Sequence, residues 1–346
     1  MMLKRLLCAV LCLLLATGTL VGCGEPRMRA ESFYEYFDTV SVVISYVEDE
    51  ADVFADNCHA VEDVLRDYHC MFDIYYEYAG INNLKTVNKQ AGIAPVAVDA
   101  RLIDFLLYCK EIYAKTNGRT NVAMGAVLSL WHDERERAEV YPDRAKLPDA
   151  DALREAALHT DINDLIIDRE AGTVYLADPA MRLDVGSVGK GYAAERAAEV
   201  LRERGVTGYV LNVGGNLCAI GEKRRGKGWS TGITNPDKSS DEPFVCRVNL
   251  KDTSLVTSGD YERYYTVDGV RYHHIIDPET CMPAAYFSSV SVFAADSGLA
   301  DALSTALFCM SYEDGLALAK ELNVEVIWVR PSGEVLTTDG VPLLRE

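Results

Sequence analysis

Residues 182–205, RLDVGSVGKGYAAERAAEVLRERG, set an acid and a base around a flexible turn. Asp184 is followed by Gly186, Gly189 and Gly191, with Lys190 between the last two. A helix opening near Ser187 would present unpaired N–H groups and the positive end of its dipole, which suits a phosphate. The glycines let backbone approach a ligand, and Lys190 adds a cation. Arg202 and Arg204 before Gly205 close the helix in the usual way. The bland reading is a tight turn with a capping serine. The P-loop pattern fails here, because Lys190 is followed by Gly191 and no glycine precedes it at the needed spacing. GKGYAA does match the dinucleotide fingerprint. The next strand, GYVLNV, then ends without the acid that should hold a ribose, which disfavours a Rossmann site.

The sharpest carboxylate lies in ADALSTAL (300–307). Asp301 and Thr305 are i and i+4, so both project from one helix face. Their oxygens are hard ligands of the kind Mg²⁺ takes together with waters and substrate phosphates. Read blandly, Asp301 complements the helix dipole and Thr305 is packed. Three further stretches carry polar groups at turns: NVGG (212–215), SGDYERYY (258–265) with Asp260 and Arg263, and HHIIDPETCMP (273–283). NVGG reads equally as a plain hairpin turn. Two adjacent histidines before Asp277-Pro278 favour a ligand role over simple packing.

Positioning these groups takes many short elements. Residues 52–71 and 101–118 read as helices, the first with Val53, Val61, Val64 and Leu65 facing inward. TNVAMGAVLSLW (120–131) is a short apolar element, and residues 132–149 read as a charged, solvated excursion. From 164 onward strands dominate, with hairpins at EAG (170–172) and at Asp268-Gly269. Helices over 300–310 and 311–322 and a last hairpin close the chain. This order fits a single large α+β domain with mixed and antiparallel sheets and flanking helices better than a regular βαβ array.

The N-terminus reads as an export signal over residues 1–22: Lys4 and Arg5, then LLCAVLCLLLATGTLV. LVGC (20–23) has the lipobox arrangement, which makes Cys23 the lipidated first residue; the plainer reading is a cleaved signal with an incidental cysteine. Residues 23–32 then form a tether and 33–346 the functional domain. Removing 1–22 takes away two basic residues and no acid, so the formal net charge moves from −19 to −21. That argues against nucleic acid or an anionic membrane face as an electrostatic partner. The seven cysteines after Cys23 are scattered and include no C-x-x-C pair, which argues against zinc; most read as buried free thiols, with one or two disulfides the alternative in an exported chain.

Five motifs, D-x-G-x-x-x-K-G-Y-A, N-x-G-G-[ND], T-S-G-D-Y, H-I-I-D-P-x-T and L-A-D-A-L-x-T-A, stand in this order from Asp184 to Ala306. Together, behind a lipobox, they resemble the ApbE-type FAD:protein FMN transferases over nearly the whole chain from Phe33. The resemblance implies a T-fold-related architecture and FAD as substrate. FMN would pass to a threonine or serine hydroxyl of an acceptor flavoprotein, and AMP would leave. It further implies Mg²⁺ held by Ser187 through its main-chain oxygen, by Asp301 and by Thr305. Flavin-nucleotide contacts fall at Phe37, Tyr75, Asn121, Asp184, Lys190, His274 and Ile275. By the same resemblance His274 or a nearby carboxylate would take the hydroxyl proton, and the protein would sit lipid-anchored on the outer face of the cell membrane, its acceptor a membrane electron-transfer subunit or an extracytoplasmic flavoprotein. The alternatives are an FAD pyrophosphatase with the same site and a flavin-binding lipoprotein without catalysis. Five positions depart from the family pattern. Phe37-Asp38-Thr39 replaces Met-Gly-Thr, Asn121 replaces Asp, Cys281 replaces Gly, and Gly189 replaces Ala.

Overall fold

A computed structural model describes residues 28–46, 51–223 and 226–344. Eight strands form the central sheet, and their order across it follows the chain: Arg29–Phe33, Ser41–Ser45, Tyr209–Val213, Asn216–Ile220, Ser254–Gly259, Ser289–Ala294, Glu325–Val329 and Val335–Thr337. Every neighbouring pair in it is antiparallel. The parallel component expected from the sequence is, among the described residues, an isolated bridge between Met124 and Arg182. The α+β reading therefore holds, with antiparallel pairing throughout the sheets.

Both faces of this sheet are covered, and strand alternation shows how. Leu211, Val213, Val290, Val292, Val326 and Trp328 pack against helices. Their neighbours Val210, Leu255, Phe293, Ile327 and Val329 pack instead against Trp229, Ile233, Val248 and Leu250 of a two-stranded sheet, Trp229–Thr234 with Phe244–Leu250. Burying both faces makes the register strongly specified, because a one-residue slip would exchange the two sets.

The helical layer contains Ala51–Phe72, Gly189–Glu203, Ser297–Phe308 and Tyr312–Glu321. Ala51–Phe72 buries Phe54, Cys58, Val61, Leu65 and Phe72. Val53 is 48% exposed, so the inward stripe runs through Phe54 rather than through Val53 as the sequence suggested. Between Ser45 and Tyr209 the chain also builds a three-stranded sheet, Val96–Ala97, Thr173–Leu176 and Leu165–Asp168, and the helices Leu84–Lys89, Ala100–Lys115, Gly125–Val140 and Ala150–Ala157.

Two expectations need correction. Arg29–Phe33 pairs in register with Ser41–Ser45, so residues 29–32 belong to the sheet and not to a tether. Residues 132–140 are the second half of the helix Gly125–Val140, not a solvated excursion. Trp131 and Ala138 are buried there against Tyr265 and Cys281, and buried Glu134 is held by Arg137. The charged residues between these anchors masked a helix with one narrow apolar stripe. The signal segment and Cys23 lie outside the described residues. No described helix is long and apolar enough to cross a membrane. All seven later cysteines are free thiols, five of them buried.

Candidate active site

The helices Gly189–Glu203 and Ser297–Phe308 meet at glycine. The Gly191 N–H donates to Asp301 Oδ2 at 2.7 Å. A Cβ on Gly191 would lie 2.4 Å from Asp301 Cβ and 2.4 Å from the Ser297 carbonyl oxygen. Gly191 is thus the point where two backbones close, and its absent side chain makes room for the carboxylate. A second tie lies one turn along: buried Glu195 accepts the Ser297 N–H at 2.7 Å and is paired with Arg202 at 2.5 Å.

Gly191 is the third residue of its helix, so its N–H is one of the first-turn groups that have no acceptor inside the helix, and Asp301 satisfies it. The helical ladder starts with the next N–H, that of Tyr192, which donates to the Val188 carbonyl at 3.0 Å. The helix begins at Gly189, two residues later than the sequence suggested. The first glycines also serve differently. The Gly186 N–H caps the Asp184 side chain at 2.9 Å, and Gly189 faces the Phe72 ring, which a Cβ would meet at 3.1 Å. Phe72 explains why glycine stands there in place of alanine.

Asp301 is 5% exposed. Burial raises its carboxyl above the usual range, while Lys190, the Gly191 N–H and Asn216 pull in the other direction. The Asn216 amide nitrogen, itself buried, lies beside this carboxylate without a hydrogen-bond partner. In the run 300–310 Thr305 alone keeps appreciable exposure. Next to it, Ser304 Oγ is within 2.8 Å of Ser258 Oγ, so the SGDY turn packs on the same helix. Among the described residues no three His, Cys, Asp or Glu side chains gather as a metal cluster. Asp301 and, one turn along the same helix, Thr305 offer hard oxygen donors. That chemistry fits a hard cation such as Mg²⁺ and not zinc.

The second half of the site surrounds Asp184. Its N–H donates to the Val122 carbonyl at 2.9 Å, which places residues 121–124 beside it. Asn121 spends its amide on backbone, accepting from Ala123 and donating to Thr160, both at 2.9 Å. Burial raises the Asp184 carboxyl, opposed by the Gly186 N–H and by nearby His132, Arg135 and Arg263. His132 Nδ1 is 2.8 Å from Arg135 Nη2, and its ring lies 5.5 Å from that of Tyr75. The charge of Asp184 in turn helps hold the Tyr75 hydroxyl up at about 12, after burial as the main cause.

His274 and His273 have separate roles. His273 accepts the Ile275 N–H on Nδ1 at 3.2 Å, so Nε2 carries the proton and donates to the Ala284 carbonyl at 2.8 Å. It is a buried structural residue, and it fixes Ile275, also buried. His274 donates through Nδ1 to the Arg263 carbonyl at 3.2 Å, which leaves its Nε2 lone pair open. Burial, then Arg263 and His273, push His274 down to about 3, so it is neutral at physiological pH.

Lys190, Arg135 and Arg263 form no ion pair with a carboxylate among the described residues. In a chain with 53 acids, Arg135 and Arg263 near Asp184 and Lys190 near Asp301 are cations left available to an anionic ligand. His132 and Arg135 lie in the run that reads from sequence as a solvated excursion, and no motif singles them out. The signal that could have found them is the apolar spacing Val127, Trp131, Ala138, which sets a helix through them.

Phe37 and Asp38 form a left-handed turn, with φ of 58° and 51°. Cys281 has φ of 56°. Two of the five departures from the family pattern, Asp38 and Cys281, thus occupy positions where glycine would be unstrained. Aspartate tolerates this region and a β-branched residue does not. Asp38 is exposed, so Asp38→Val should cost about 1–2 kcal/mol by backbone strain alone, and Asp38→Gly should be near neutral. Denaturant midpoints of the two variants check this.

Fold and site together define an α+β protein with cations free of acidic partners near a buried carboxylate. The chain belongs to the ApbE family, whose model matches residues 38–328. A FAD:protein FMN transferase of Treponema pallidum is 37% identical over 275 residues, covering 75% of this chain and 73% of that protein. A FAD:protein FMN transferase of Klebsiella pneumoniae is 31% identical over 252 residues, covering 72% and 75%. The crystal structure of the ApbE protein from Thermotoga maritima superimposes with a TM-score of 0.78 at 25% identity, over 90% of this chain and 97% of that one. The flavin transferase ApbE from Vibrio cholerae shares the fold, with a TM-score of 0.75 at 22% identity and the same coverage.

Proposed function

We propose that this chain is a flavin transferase that takes FMN from FAD and attaches it to a threonine or serine hydroxyl of an acceptor protein, releasing AMP. The observation that carries the reading is the 2.7 Å bond from the Gly191 N–H to Asp301. It locks the Asp184–Gly191 segment, with the Ser187 carbonyl in it, against the helix that bears Asp301 and Thr305. Asp301, Thr305 and that carbonyl would hold Mg²⁺, whose charge would offset the negative charge of the pyrophosphate.

The protein's own groups supply the rest. Lys190, Arg135 and Arg263 draw in the diphosphate and orient it. Phe37, Tyr75 and Ile275 border the flavin nucleotide, and Asn121 and Asp184 hold the loop between them. The acceptor hydroxyl oxygen bonds to the FMN phosphorus as the bond from that phosphorus to the bridging oxygen breaks. The bridging oxygen leaves with AMP. The hydroxyl proton goes to His274 Nε2, which is neutral and open on that side; the bound diphosphate strengthens it as a base by opposing Arg263. Phosphoryl transfer of this kind depends mainly on positioning and charge neutralisation.

Export and lipid attachment at Cys23 belong to the same proposal, supported by the LVGC arrangement behind an apolar stretch. The partner would then be a membrane electron-transfer subunit or an extracytoplasmic flavoprotein. The test is incubation of the protein with FAD and Mg²⁺, with and without a flavin-accepting protein, followed by mass spectrometry and AMP measurement. Covalent FMN on the acceptor, with AMP release dependent on that acceptor, is expected. Equal AMP release without acceptor would make it a pyrophosphatase, and neither product would make it a flavin-binding protein.

A further inference from the structure

We propose that His69, through Tyr78 and Asp73, is a positioning residue that braces Phe37 and Tyr75 on the flavin side of the site. The inference rests on the flavin-transferase reading above. His69 lies in the last turn of the helix Ala51–Phe72, a rigid element. The Phe37 N–H donates to its Nδ1 at 3.2 Å. A backbone N–H can only donate, so Nδ1 is unprotonated and the ring hydrogen sits on Nε2. That hydrogen points to the Tyr78 hydroxyl oxygen at 3.1 Å. Tyr78 in turn donates to Asp73 Oδ2 at 2.7 Å. The other oxygen, Oδ1, accepts the N–H groups of Tyr75 at 2.6 Å and Tyr76 at 2.9 Å.

Each donor in the chain from Phe37 to Tyr75 thus has one acceptor, and the direction of every hydrogen is fixed. Burial and the Asp73 carboxylate push the Tyr78 hydroxyl well above its ordinary range, which keeps its proton in place. The Phe37 ring stands edge-on to His69, with centroids 5.6 Å apart and planes at 85°. The brace is needed because Phe37 and Asp38 are both left-handed, a conformation that persists only where the surroundings hold it. Neither His69 nor Tyr78 bonds to Asp184, Lys190, Asp301 or Thr305, so their removal leaves the reacting end intact.

The experiment compares wild type, His69→Ala, His69→Asn and Tyr78→Phe. It measures KM for FAD and kcat at saturating acceptor, and Kd for FAD by flavin fluorescence. His69→Ala should raise KM and Kd about tenfold with kcat within about twofold, the pattern of lost binding rather than lost transition-state stabilisation. Asparagine places an accepting oxygen near the position of Nδ1, so His69→Asn should recover most of the loss. Tyr78→Phe, which breaks the link between His69 and Asp73, should fall between. Wild-type KM in His69→Ala, a fall in kcat at unchanged KM, or no recovery in His69→Asn would overturn the brace while leaving the transferase reading intact. A wild-type protein that binds no FAD would overturn both. If His69→Ala does not fold, the Asn and Phe variants decide by the same readings.

Discussion

Asp301→Asn abolishes flavin transfer and leaves the metal-free protein at least as stable as wild type. The carboxylate is buried, and burial alone raises its proton affinity. Holding it ionised therefore costs folding free energy that Lys190 and one N–H only partly offset. Asparagine keeps an acceptor for the Gly191 N–H and removes the charge. Transfer should fall by about three orders of magnitude, equivalent to about 4 kcal/mol of transition-state stabilisation. Calorimetry in the presence of a chelator should show an unchanged or higher Tm. Adding Mg²⁺ should then raise the Tm of wild type but not of the variant, because a ligand stabilises only the state that binds it. The pH dependence has a definite sign. The Asp301 pKa is raised on folding, so the folded state keeps this proton to higher pH than the unfolded chain. The wild type therefore recovers stability relative to the variant as pH falls through the folded pKa. A variant that lost several degrees of Tm in chelator, or retained activity, would refute this account of the carboxylate.

Gly191→Ala carries the second large effect, and its sign is the reverse of the usual one. In an exposed helix interior, glycine to alanine stabilises by about 1 kcal/mol. Here the new methyl would sit 2.4 Å from Asp301 Cβ and from the Ser297 carbonyl oxygen, neither of which is the end of a flexible side chain. The two helices must part, and the Gly191 N–H loses Asp301 as they do. A destabilisation of about 3 kcal/mol is expected, at the upper end for overpacking, with a loss of Mg²⁺-induced stabilisation in the protein that still folds. Thermal melts with and without Mg²⁺ separate the two losses. A variant as stable as wild type would show that the helices do not close here.

Much of this was legible in the chain. The hairpins at Asp268-Gly269 and at 170–172, the helix bearing Asp301 and Thr305, and the antiparallel strands follow from local turn chemistry and short periods. The linear sequence hides what depends on contact between distant segments. The glycines of 186–191 suggest a phosphate turn, yet Gly191 is there because another helix crosses it. The charged run at 132–140 conceals a helix whose Arg135 and His132 lie near Asp184. The links from His69 to Phe37, 32 residues away, and to Tyr78 have no signature in either segment. Left-handed backbone at Asp38 and Cys281 is likewise invisible, because neither residue type announces it.

The position of the first strand sets a working distance. Arg29 already lies paired with Ser45 at the outer border of the sheet. Between Cys23 and that strand stand only residues 24–28, five positions that span at most about 17 Å when fully stretched. An acyl-bearing Cys23 would therefore keep the catalytic body on a short leash, close against the lipid headgroups. Soluble acceptors must then diffuse to the bilayer to be served, and acceptors embedded in the same leaflet meet the enzyme by lateral diffusion.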